Sequence, residues 1–191
     1  MKNTKTSYLT KKNKAESEFI TYPARPTTGC AVDSTLWRQT EDMVRVANMV
    51  YSPKYNGWRV LLHVPTGMCF NRKLKPLSIE DEFRSAIEYA QGRAKEIEGV
   101  LTGFDWLDCE GLERRHNIGR GTLIVLDAPQ LSSTAEDRYT ALCMMYTRLS
   151  IHEKPENGRV YVTPHFPLDA VSVINEDLYK INKEWDAEFY E

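Results

Sequence analysis

Residues 52–64 read SPKYNGWRVLLHV, a lysine in a turn that runs directly into an apolar segment. Pro53 withholds a backbone donor and stiffens the approach to Lys54, and Gly57 lets the backbone come close to another group. The apolar run that follows reads as a buried strand. Pro65-Thr66-Gly67 separates it from GMCFNR, so the spacing predicts a hairpin. Lys54 is then either an ordinary turn lysine or a nucleophile. A lysine amine attacks only when unprotonated, against an ordinary pKa of about 10.4. Chemistry at this position would therefore call on burial, a cationic neighbour such as Arg59, or a bound metal ion.

Beyond the hairpin, SIEDEFRSAIEYAQGRAKEIEG (residues 78–99) predicts a helix, with Ser78 as the cap, acids in the first turn and Gly99 past the end. GFDWLDCE (103–110) and GTLIVLD (121–127) predict strands joined by a Gly- and Arg-bearing turn. TAEDRYTALCMMYTRLS (134–150) opens on a capping-box pattern, Thr134 to Asp137, and repeats apolar residues at helical spacing. RVYVTP (159–164) predicts a short strand and INEDLYKINKEWDAEFYE (174–191) a helix. Thr35 to Val50 mixes apolar and polar residues at helix-like spacing. Strands interspersed with helices give a mixed α+β fold with antiparallel-rich sheets. Residues 1–29 are polar and rich in Lys, Thr and Ser. They read as a flexible arm whose Lys2, Lys5, Lys11, Lys12 and Lys14 either stay solvated or touch phosphate.

At 191 residues the chain accommodates one domain, placed at 30–191, rather than two. A net charge of -2 supplies no general attraction for polyanions, so any nucleic-acid contact must come from a local basic patch. Cys30, Cys69, Cys109 and Cys143 stand too far apart for a metal-knuckle spacing, and a reduced, cytoplasmic setting is expected. No run approaches the roughly 20 apolar residues of a membrane helix. Neither a P-loop nor a Gly-x-Gly-x-x-Gly fingerprint occurs, so a nucleotide would have to bind by other means.

PKYNGWRV resembles motif I of the covalent nucleotidyltransferases, the superfamily of ATP-dependent DNA ligases, RNA ligases and mRNA capping enzymes, whose pattern is Lys-x-Asp-Gly-x-Arg. FNRKLKPL, with Asn71 and Arg72, is similar to the family's Ser/Asn-Arg-x-Gly motif. WLDCEGL is similar to the Leu-Asp-Gly-Glu-Leu of motif III, and GTLIVLDAPQLSSTAEDRYTAL to motif IIIa. The four occur in family order over about residues 50 to 150. The resemblance implies an ATP-grasp-like adenylation domain in which Lys54 attacks the α-phosphate of ATP and carries AMP as a phosphoramidate. It implies nucleotide binding by Tyr51, Ser52, Arg59, Arg72 and Glu110, and a Mg²⁺ site at Asp108 and Glu110. It also implies contact of Arg72 with a nicked or broken polynucleotide, DNA in preference to RNA, to which Arg114, Arg115 and Arg120 are, from their residue types alone, further candidates. The protein is expected to be a monomer and to stay off membranes.

The departures from the family pattern are specific. Asn56 replaces an Asp, which removes a charge near the metal, and RNA ligases vary more here than DNA ligases do. Leu126 stands where an aromatic normally stacks on adenine, which would pass base packing to Tyr51 or Trp58. Leu74 replaces a glycine. Glu191 resembles the first residue of motif IV, so motif V and the OB-fold domain are expected to be missing from this chain. Three readings follow: a DNA-ligase-type adenylation domain, an RNA ligase, or a non-catalytic remnant that binds nucleotide or nucleic acid. Outside the motifs, ERRHNIGRG is either a solvated turn or a phosphate-contacting loop. Cys109 reads as packing, and Arg138 as the partner of local helical acids.

Overall fold

The alternation of side chains along its central strands gives the sheet of this protein two very different faces. The computed structural model describes residues 22, 50–97, 105–112, 118–129, 133–167 and 170–190. In chain order they form β1 (Val50–Tyr51), β2 (Trp58–His63), β3 (Met68–Phe70), β4 (Pro76–Leu77), α1 (Arg84–Glu96), β5 (Trp106–Leu112), β6 (Thr122–Asp127), α2 (Ala135–Met145), β7 (Thr147–Arg148), β8 (Val160–Val162), β9 (Phe166–Pro167) and α3 (Val171–Trp185). Seven strands make one sheet in the order β4-β3-β2-β5-β6-β8-β7, and β1 pairs with β9 apart from it. The β2–β3 hairpin forms as expected, with Leu61 opposite Phe70, and β2 and β5 are antiparallel with Arg59 opposite Glu110. Only β8 runs parallel to its neighbours, β6 and β7. The class is mixed α+β.

One face is apolar throughout. Val60, Leu62, Leu107, Cys109, Leu123 and Val125 point into a core closed by Phe83, Ala86, Ile87 and Ala90 on the α1 side and by Leu142 and Met145 of α2. Each Val, Leu, Ile, Phe or Met side chain fully removed from water here is worth about 1.5–3 kcal/mol, so this face anchors the sheet. The opposite face holds two smaller clusters. Tyr22, Leu61, Met68, Phe70 and Trp106 fill one end. Leu112 and Ile124 fill the other, under Leu178 and Ile181 of α3 and under Phe189 and Tyr190. Between them the same face presents Arg59, Asp108 and Glu110, and this polar interval positions the candidate site.

Helix boundaries differ from the sequence-based expectation, and α2 stops at Met145, short of Ser150. α1 starts at Arg84, not after Ser78, and its first turn contains no acid. Leu77 pairs back onto β3, so the chain must turn before it can become helical. Residues 79–83 make that turn, with the backbone N–H groups of Glu82 and Phe83 both donating to the Ile79 carbonyl at 3.0 and 3.2 Å, and they deliver Phe83 to the core. α3 starts at Val171 and stops at Trp185, because Asp186 takes a left-handed conformation (φ 49°) and reverses the chain. The Asn182 side chain fixes the returning segment, accepting from the backbone N–H groups of Phe189 and Tyr190 at 3.1 and 3.0 Å and donating to the Tyr190 carbonyl at 2.7 Å. The capping box of α2 forms as read from the sequence, with Asp137 N–H donating to the Thr134 hydroxyl at 3.1 Å. The arm apart from Tyr22, the segment from Thr35 to Met49, Gly99, and Arg114 with Arg115 lie outside the described residues. Among the described residues, no helix is long and apolar enough to cross a membrane.

Candidate active site

Pro53, Lys54, Tyr55, Gly57, Arg59, Glu110 and Leu126 line one cleft of about 330 Å³. The loop before β2 presents Lys54 to solvent between Pro53 and Tyr55, both buried. Burial is therefore not what the structure offers this amine, whereas cationic Arg59 shares its cleft. Tyr55 and Tyr190 form an isolated antiparallel bridge, and the backbone N–H of Asn56 donates to the Phe189 carbonyl at 3.0 Å. The Asn56 amide donates to the Glu188 carbonyl at 3.0 Å. Asn56 is thus a strut that ties the lysine loop to the segment after α3.

Gly57 is required by close approach. A Cβ on it would lie 2.7 Å from the Gly111 carbonyl and 2.9 Å from Cγ of Glu110. The loop consequently lies flat against β5, with the Gly57 backbone close to the Glu110 side chain. Burial pushes the Glu110 carboxyl up to about 7, opposed by the positive charges of Arg59 and Lys54. A carboxylate raised above its ordinary 4.5 contributes most to stability below that value, and the contribution is lost as pH rises through about 7. Glu110→Gln is accordingly expected to raise the melting temperature at pH 8. The gain should disappear at pH 4, as thermal unfolding across a pH series would show.

Asp108 follows a different logic. It lies two residues before Glu110 on the same strand face but is 5% exposed, and both of its oxygens accept from Arg59, from Nε and from one terminal nitrogen. Tyr22, itself buried, donates its hydroxyl to the same carboxylate at 3.3 Å and packs edge-on against Trp106 with centroids 5.1 Å apart. Burial pushes the Asp108 carboxyl up, and the Arg59 and Tyr22 hydrogen bonds draw it back. Asp108 thereby orients the guanidinium that reaches the cleft. On β6, Val125 pairs with Cys109 but Asp127 pairs with Asp108, which leaves Leu126 as the extra residue of a bulge. Such an insertion re-aims a side chain, and here Leu126 joins the cleft lining. Arg138 pairs with Asp127 through two bonds of 2.7 and 3.1 Å rather than with neighbouring acids of its own helix, and so joins the start of α2 to the end of β6.

The remaining sequence-derived residues are dispersed. Tyr51 donates to Asn175 of α3, and Ser52 is half-buried beside it; neither lines the cleft. Trp58 points to the face opposite Arg59 by strand alternation, so the apolar surface of the cleft comes from Pro53, Tyr55 and Leu126. Arg72 is exposed on the β3–β4 turn, and Arg120 is exposed before β6. Leu74 has φ 60°, a conformation that favours glycine, the residue the motif carries there. Cys109 is fully buried, and burial pushes its thiol well up, as expected of a packing residue. Tyr22 and the Leu126 bulge were not found by sequence reasoning. No spacing signals a side chain arriving from a distant arm, and a bulge leaves no mark in an apolar run.

Among the described residues no group of three or more His, Cys, Asp or Glu side chains could hold a metal ion by itself. Mg²⁺ commonly binds through one or two carboxylates together with substrate phosphates, and Glu110, half-buried and facing the cleft, fits that partial role. The chain matches no protein-family model, and no curated protein sequence matches it.

Proposed function

We propose that this chain is an ATP-dependent polynucleotide ligase adenylation domain of ATP-grasp-like fold, with DNA favoured over RNA as substrate. The observation that carries the reading is the meeting, in one cleft, of Lys54 and Arg59 from the motif I-like segment with Glu110 from the motif III-like segment. Lys54 Nζ attacks the α-phosphorus of ATP, the bond to the bridging oxygen breaks, pyrophosphate leaves, and the amine surrenders a proton to give a lysyl-AMP phosphoramidate. A 5′-phosphate oxygen then displaces Lys54 from that phosphorus, and the activated end is ready for joining. Mg²⁺ supplies charge neutralisation at the phosphates when bound, with Glu110 helping to hold it. Arg59, oriented by Asp108, binds the ribose or phosphate, and Leu126 packs against the base.

Incubating the 191-residue chain with ATP and Mg²⁺ should transfer label from the α-phosphate to the protein and none from the γ-phosphate. Label from the γ-position, or nucleotide bound without any covalent adduct, would instead support a kinase-like reaction or a binding-only remnant and overturn the proposal.

A further inference from the structure

The β3–β4 turn gathers three cations that have no carboxylate partner among the described residues. Among the described residues, Arg59, Arg84, Arg93, Arg138, Arg159 and Lys180 each pair with a carboxylate. Arg72, Lys73 and Lys75 have no such partner there, and all three are exposed. The turn that carries them is nonetheless well fixed. The Asn71 side-chain oxygen accepts from the backbone N–H groups of Lys73 and Lys75 at 2.8 and 3.1 Å. The Asn71 N–H donates to the Lys75 carbonyl at 2.9 Å, and the Leu74 N–H to the Asn71 carbonyl at 2.8 Å.

Its place in the sheet gives this cluster a use. Phe70 lies opposite Leu61, so the turn continues past that pair toward the Arg59 end of β2, the residue by which β2 lines the cleft. A protein of net charge -2 must bind a polyanion through a local patch, and three exposed cations on one fixed turn, without a carboxylate partner among the described residues, constitute one. Resting on the polynucleotide reading above, we propose that Lys73 and Lys75 grip the sugar-phosphate backbone of the strand whose end enters the cleft. These contacts are independent of base sequence and hold the strand in register, while Lys54 does the chemistry.

The test is fluorescence anisotropy of a nicked, 5′-phosphorylated duplex DNA against salt concentration, with the wild-type chain and a Lys73→Ala/Lys75→Ala variant. Each phosphate contact on B-DNA contributes about 0.9 to the slope of log affinity against log salt, so the variant's slope should be shallower by about 1.8. Adenylation by free ATP and the melting temperature should not change, since both lysines are exposed and outside the cleft. An unchanged slope overturns the proposal. If the slope falls while the wild-type chain forms no lysyl-AMP, the strand grip stands and the adenylation reading alone fails.

Discussion

Lys54→Ala is expected to abolish the covalent adenylate, with a fall of at least about 10⁴-fold in the rate of label transfer from α-labelled ATP, the scale of losing a nucleophile outright. Lys54→Arg should fail equally, because a guanidinium keeps its proton and cannot attack phosphorus. Neither change should unfold the protein, since the side chain is exposed on a loop whose position is set by Tyr55, Asn56 and Gly57. Gel autoradiography of the labelled protein, alongside thermal unfolding, checks both halves. Labelling of Lys54→Ala at the wild-type rate would move the nucleophile elsewhere.

The second large effect is on the sheet itself. Arg59→Met leaves the Asp108 carboxylate buried without its guanidinium, and breaking such a pair costs about 3–5 kcal/mol. The loss should be greatest at neutral pH and shrink on acidification, because the orphaned carboxyl, already pushed up by burial, then takes a proton. Tyr22→Phe removes only one neutral donor and should cost about 1 kcal/mol. The double variant Arg59→Met/Asp108→Leu should recover most of the stability, since replacing both partners of a buried pair by apolar groups is often neutral. Adenylation should not recover with it, because Arg59 also lines the cleft. Urea unfolding at pH 7 and pH 4, paired with the label assay, separates the two roles.

Much of this architecture is legible in the residues themselves. The hairpin around Pro65-Thr66-Gly67, the strands holding Asp108 and Asp127, and the Thr134 capping box all follow from alternation and turn chemistry, which are local. The start of α1 lies later than the sequence suggests because the acids after Ser78 mimic a first helical turn, while the pairing of Leu77 with β3 forces a turn that no local pattern announces. The motif-like segments named Lys54, Arg59 and Glu110 and left their proximity to the fold. They named Asp108 as a metal ligand, whereas its two oxygens are engaged by Arg59, a contact across strands. Asn56 reads in sequence as a lost charge and in the structure as a link to Glu188. The bond from Tyr22 to Asp108 spans 86 residues, beyond the reach of any periodicity.

The proposed role of Lys54 is acceptance of AMP. Its most direct test is intact-mass measurement of the 191-residue chain after incubation with ATP and Mg²⁺, followed by peptide mapping under conditions that preserve a phosphoramidate. A gain of one AMP, mapped to Lys54 and discharged by pyrophosphate, is the predicted result. An unmodified chain that nonetheless binds ATP, or an adduct mapped to any other residue, would contradict it.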